Sequence, residues 1–451
     1  MIGASLSRWT LSYFAVALLA LMAAEVMMAA GYGYPHTGLR APETLILVHV
    51  VTIGWLSLLM CGALFQFLPV LLARPLYSDR LALPALILLV AGLAALILGF
   101  LQLAGRVDPD LPCLALGGLL LGAGFALVLW NLARTVAAAQ TVPLQAQFVI
   151  AGLLSVAATA AFGIVFTLML GGVSSYEPFA VLTGAGLPLH IIAGLGGWLT
   201  FTAMGVSYRL LAMFMLAPET DRWSTRAALW LGVAALSIAV VGGTLAILTG
   251  GGLTAVLLAA GGVGLTALAF YGGDILHLYR ARKRRNIELN SRMAVLAFAS
   301  LAACIVLCVA ALALGQLTEH VDAIVFLAAF GWLTGLGLAQ LYKIVAFLTW
   351  LECYGPVLGK APTPRVQDLV VEARAGKWFV LYFIAVWAGA ATLVAGYPLI
   401  FRLSAAMMLV ATVGILAQLV RTRRLADVKA ALRLPQGAQQ PRLLYALSRQ
   451  T

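Results

Sequence analysis

Charge is scarce in this sequence. Asp, Glu, Lys and Arg together make up 10% of its 451 residues, against 63% hydrophobic residues. A soluble globule cannot hide so much apolar surface, so the composition specifies a polytopic membrane protein. Cysteine is scarcer still: five are scattered along the chain with no CxxC pair, which excludes a disulfide framework and a zinc-ribbon pattern. Cys304 and Cys308 share a helix face and read as small apolar packing. Histidine also numbers only five, so each one inside a span can be weighed singly. The net charge of +12 does not argue for nucleic acid, because the basic residues sit in short loops where they set topology. The lipid bilayer is the partner that the composition names.

One stretch organises the rest. It opens at His190, runs through Gly197-Trp198-Leu199-Thr200 to Gly205, and continues to Tyr208-Arg209. An earlier copy has His49, Gly54-Trp55-Leu56-Ser57, Gly62 and Phe65-Gln66. A later copy has Gly331-Trp332-Leu333-Thr334, Ala339 and Tyr342-Lys343. In each, the hydroxyl residue follows the Trp at +2, a small residue at +7, an aromatic at +10 and a polar residue at +11. Three matches in one register point to a threefold internal repeat.

Hydropathy places twelve spans of about twenty residues or more, at 9–31, 43–73, 80–105, 112–134, 145–171, 187–217, 224–249, 252–281, 291–315, 320–350, 376–397 and 400–421. Breaks fall at Pro35, Pro42, Pro75, Pro109, Pro112, Pro143, Pro218, Gly250-Gly251-Gly252, Pro356 and Pro398. Arg8 followed by an apolar run reads as a first transmembrane helix that is retained, not a cleaved leader. Loops after even-numbered spans hold Arg74, Arg80, Arg134, Arg222 and the run Arg280 to Arg285, whereas loops after odd-numbered spans hold only Arg40, Arg106 and Arg402. The positive-inside rule then puts both termini in the cytoplasm. The expected architecture is an all-α integral membrane protein of about twelve transmembrane helices in three pseudo-repeated four-helix units, 1–140, 141–286 and 287–425. A cytoplasmic loop at 352–375, with a surface helix around Val366–Ala375, and a cytoplasmic tail at 426–451 complete it.

Ionisable groups in hydrocarbon are costly, so each is a site hypothesis. His49 lies near the outer end of span 2 among Val48, Val50 and Val51. A neutral imidazole there suits heme iron or copper, and a hydrogen bond to a neighbouring helix is the plain alternative. His190 in span 6 is two residues out of register with His49 and carries the same two readings. His320, flanked by Glu319 and Asp322, reads as a solvated helix cap, or else as an exterior metal or proton group. His36 and His277 read as surface residues. Glu25 is the clearest buried acid and is expected to pair or carry a proton: it could orient the His49 ring, meet a heme propionate or a proton path, or simply bridge helices. Met27, Met28 and Met60 fill the core, and Trp55, Trp198 and Trp332 pack at small-residue helix contacts. Asp274 is expected to pair with Arg209 or Lys343.

With these residues in view, the chain resembles subunit I of the heme-copper oxidases, and more narrowly the divergent bacterial subunit-I-like members of that superfamily. The runs His49–Val70, His190–Pro218 and Leu341–Trp350 carry the resemblance. It implies that His49 matches the span-2 ligand of a low-spin heme, and that His190 stands near the span-6 copper ligand. Of the His-x-His of span 10, the string His320-Val321-Asp322 keeps only the first histidine. The paired histidines of span 7 are missing, since residues 224–249 contain none. Copper is therefore not expected, nor is activity as a terminal oxidase.

The resulting expectation is a b-type heme near the outer face, ligated by His49 with His190 or His320 as the second ligand and Glu25 nearby. Its work would be electron transfer, heme handling, or a response to nitric oxide or oxygen. A cytochrome or other redox partner would meet it at the outer face of a bacterial inner membrane. The competing expectation is a cofactor-free transporter or assembly factor on the same helices, with Glu25, Arg209, Lys343 and Asp274 lining proton or substrate paths.

Overall fold

The computed structural model describes residues 8–444 apart from Pro109 and Thr220; the expected break at Pro109 and the last residues of the tail lie outside the described residues. The described chain is all-helical, with no strand among the described residues. Twelve helices are long and apolar enough to cross a membrane: α1 Thr10–Ala30, α2 Pro42–Leu72, α3 Asp79–Leu103, α4 Cys113–Ala137, α5 Leu144–Leu170, α6 Leu187–Met215, α7 Trp223–Leu248, α8 Leu253–Arg280, α9 Leu289–Ala313, α10 Leu317–Val357, α11 Glu372–Val394 and α12 Pro398–Arg423. This is a multi-pass membrane protein. Proline and glycine set the boundaries as their backbone chemistry requires. Pro42 and Pro398 open their helices, where the missing N–H costs nothing. Gly31 closes α1 in the left-handed conformation at φ +78°.

The loop before α11 departs from expectation. The surface helix expected around Val366–Ala375 is instead a single 3₁₀ turn, Val366–Leu369, and α11 already begins at Glu372. The turn closes locally because Asp368 accepts from the Arg365 backbone N–H at 2.9 Å and from its guanidinium, contacts that hold the Asp368 carboxyl below its usual range. Extended Val370 and Val371 then break the helix.

By contact the chain divides into two compact units, Met1–Gln66 with Ile287–Thr451, and Phe67–Asn286. The first holds α1, most of α2 and α9 to α12; the second holds α3 to α8. In the first unit, the loop after α10 and the tail after α12 fold together on an apolar cluster of Cys353, Tyr354, Val357, Leu369, Leu425 and Val428. Asp427 pins the tail: it accepts from Arg421 at 2.6 Å and from Arg374 at 2.9 Å. The Arg421 hydrogen bonds, ahead of those from Arg374, hold the Asp427 carboxyl below its ordinary value. A depressed folded pKa gives stability that is fully present above the unfolded value, near pH 4, and is lost as pH falls through the folded value. Acidification is therefore expected to release the tail, read as faster protease cleavage between Lys429 and Arg433. Asp427→Asn should cleave at the fast rate already at neutral pH, and equal rates in variant and wild type would contradict the assignment.

Candidate functional site

The three Gly-Trp stretches share a local structure that hydropathy does not show. Each contains a π-helical segment: Val50–Ser57 in α2, Ile192–Leu199 in α6 and Leu327–Thr334 in α10. The segments run from five residues before the Trp to two after it in α2 and α10, and one residue earlier in α6. A π turn widens the helix and frees a backbone carbonyl from its usual N–H, and within a membrane that carbonyl needs another donor. In two of the three segments the hydroxyl at Trp+2 donates to a carbonyl of the segment. Ser57 donates to the Thr52 carbonyl at 2.7 Å and Thr200 to the Leu195 carbonyl at 2.6 Å, each five residues back. In α10 the Thr334 hydroxyl instead accepts from the Trp55 indole N–H at 2.8 Å, and Tyr382 of α11 donates to the Phe330 carbonyl inside the π segment at 3.0 Å.

The other repeated positions are helix contacts. A Cβ on Gly62 would lie 2.6 Å from the Tyr13 Cβ, and one on Gly205 would lie 2.6 Å from the Gln145 carbonyl oxygen. Backbone cannot retreat as a side chain can, so Gly205→Val is expected to destabilise by at least the ~1–3 kcal/mol typical of overpacking. The measurement is the thermal midpoint in detergent, and an unchanged midpoint would contradict the contact. The aromatic at Trp+10 stacks edge-on or tilted against a neighbour: Phe65 on Tyr13 at 5.4 Å, Tyr208 on Phe148 at 5.3 Å and Tyr342 on Phe379 at 5.8 Å. Trp55, Trp198 and Trp332 are all buried.

His49 is the residue immediately before the π segment of α2 and is half-buried. Its Nδ1 lies 2.7 Å from the Leu45 carbonyl one turn back. A carbonyl only accepts, so Nδ1 carries the hydrogen and Nε2 carries the lone pair. His190, in the second unit, is fixed in the same tautomer by the Thr159 carbonyl of α5 at 3.1 Å, with the Phe166 ring 5.6 Å away. His320 is not a cap, since the N-cap position of α10 is Gln316 and His320 lies inside the helix. It is half-buried, and its Nδ1 is buried without a hydrogen-bond partner among the described residues. Its neighbour Asp322 is buried and accepts from the Tyr34 hydroxyl at 2.9 Å. Burial, with help from Asp322, pushes the Tyr34 hydroxyl up to about 12. His36 is exposed, and His277 stands in the last turn of α8. No group of three or more His, Cys, Asp or Glu side chains able to hold a metal ion gathers among the described residues.

Of the two acids, Glu25 takes the helix-bridging alternative and Asp274 departs from expectation. Glu25 does not orient His49: its Oε1 accepts from the Thr412 hydroxyl of α12 at 2.8 Å, while the His49 ring is tied to its own helix. Asp274, in the second unit, pairs with neither Arg209 nor Lys343. It accepts from Ser224 at 2.5 Å, Thr225 at 2.7 Å and Tyr208 at 3.1 Å, with Arg222 at 3.8 Å. Arg209 pairs with Glu219, and Lys343 with Glu288 at 2.7 Å. The signal for the Asp274 partners was present but unread: Ser224-Thr225 opens α7, and Tyr208 is the Trp+10 aromatic.

No family model matches the chain, and no curated protein sequence matches it. Its structure is similar to that of a heme-copper terminal oxidase dimer solved by cryo-EM, with a TM-score of 0.59 over 98% of this chain and 86% of that chain, at 12% sequence identity. At that identity the likeness shows the fold, which is the twelve-helix fold of heme-copper oxidase subunit I.

Proposed function

We propose that the protein binds a b-type heme through His49 and uses it for electron transfer, heme handling, or a response to nitric oxide or oxygen. The observation that carries this reading is the Nδ1–H···O=C bond from His49 to Leu45. Ligating histidines commonly donate their other ring N–H to a carbonyl or carboxylate, which fixes ring orientation and raises the basicity of the ligating nitrogen. His49 already has that arrangement, one residue ahead of a π segment of the kind found often at functional sites. The residues present therefore fit the group.

When bound, heme iron would supply one-electron redox chemistry or a seat for a diatomic ligand. The protein's part is to hold the Nε2 lone pair in place. His190 has the same tautomer, and His320, in the same unit as His49, is proposed as the second imidazole ligand position. The rest of the reading is proposed with it: threefold repetition at 1–140, 141–286 and 287–425, both termini cytoplasmic in a bacterial inner membrane, and a cytochrome or other redox partner at the outer face. Missing histidines in residues 224–249 argue against a copper centre of the oxidase kind.

Elemental analysis of protein purified after hemin supplementation tests this reading. The expected result is about one iron per chain and no stoichiometric copper. Neither metal at stoichiometry would contradict it and favour the cofactor-free transporter or assembly factor.

A further inference from the structure

The interior of the first unit contains an acid with half of its carboxyl unclaimed. Glu25 on α1 is completely buried. Thr412 satisfies Oε1, whereas Oε2 is buried with no hydrogen-bond partner among the described residues. Around it lies a directed chain of donors. The Trp55 indole donates to Thr334, Thr334 meets Tyr382, and Tyr382 donates onward to the Phe330 carbonyl. Tyr382 lies within electrostatic reach of Glu25, but its hydroxyl hydrogen is committed elsewhere. One turn beyond Glu25, Arg402 of α12 is turned to the Ala29 carbonyl at 2.9 Å, and the exposed His36 imidazole stands beside Gly31. Thr412, the contact from α12, is neutral. No ion pair neutralises Glu25 among the described residues.

Asp274 is a buried acid with its partners in place: three hydroxyls donate to its two oxygens and Arg222 lies 3.8 Å away. Glu25 has one donor. An ionised carboxylate left that way in an apolar interior is costly, and a bound proton removes the charge. A metal cation is a poor alternative. A hard cation such as calcium takes about 6–8 oxygen ligands, and here one carboxyl and one hydroxyl are supplied.

We propose that Glu25 is a reversible proton-binding site, taking a proton on Oε2 and releasing it while Thr412 holds Oε1. The site is independent of heme and makes the α1–α12 contact responsive to proton activity.

A hydrophobic carbodiimide tests it in the intact wild-type protein, because the reagent adds across a protonated carboxyl and leaves an N-acylurea carrying the reagent's mass. Labelling should map to Glu25 and fall several-fold between mildly acid and alkaline buffer. In parallel, the infrared C=O stretch of a protonated carboxylic acid should diminish over the same range, be absent in Glu25→Gln, and shift in Thr412→Val, which loses the donor. No label at Glu25, or labelling and a C=O band that do not respond to pH, would overturn the proposal. The wild-type labelling decides the matter even where a variant fails to fold.

Discussion

His49→Ala is expected to remove the heme signal from the reconstituted protein. Loss of an outer-shell partner of a metal ligand typically costs about 10–100-fold in affinity, so loss of the ligand itself should exceed that and leave no Soret band at micromolar protein. The helix should survive the change. Alanine is the best helix former, and His49 is only half-buried, bonded through Nδ1 to its own helix. Helicity and elution volume in detergent are the controls. His190→Ala and His320→Ala extend the series. Each is read by the same spectrum, and a variant that removes a ligand should lose or shift the Soret band. An unchanged spectrum in His49→Ala, with the protein folded, would remove His49 from the site.

The second large effect is on stability. Arg423, the last residue of α12, is 5% exposed and donates to Glu352 at 2.7 Å, to Thr349 at 2.9 Å and to the Arg442 carbonyl. Glu352 is 6% exposed. Arg423→Ala strips a buried carboxylate of its cation, a change that costs about 3–5 kcal/mol in buried pairs. It should also loosen the tail, because the Arg442 carbonyl loses its donor. The double variant Arg423→Met with Glu352→Leu should recover most of the loss, since apolar groups of similar volume often replace a buried pair at little cost. Thermal unfolding in detergent checks both. A double variant no better than Arg423→Ala would mean that the pair itself, not the orphaned charge, carries the energy.

Hydropathy alone placed the twelve helices, because apolar length is what the bilayer demands, and proline and glycine marked their ends. The triple register of Gly, Trp, hydroxyl, small and aromatic positions was also visible as text. Its physical meaning was not. The Ser57 and Thr200 hydroxyls donate to carbonyls inside π segments, and no letter pattern announces a π turn. Gly62 and Gly205 are where neighbouring helices touch, as their small size suggests, but the partners Tyr13 and Gln145 are set by packing. Asp274 departs from expectation for a related reason. Charge looks for charge when a sequence is read, so Asp274 was matched with Arg209 or Lys343, yet in the fold three hydroxyls reach it first. Glu25 finds Thr412, 387 positions away, and such a partner is set by packing alone. The polar loop before α11 was expected to carry a surface helix around Val366–Ala375, whereas the Arg365–Asp368 contact closes it as one turn.

The reduced-minus-oxidised optical spectrum of the detergent-purified wild-type protein tests the central claim most directly. The account predicts a Soret band with the sharp visible bands of a low-spin b-type heme. A fully folded, hemin-supplemented sample with a featureless difference spectrum would contradict it.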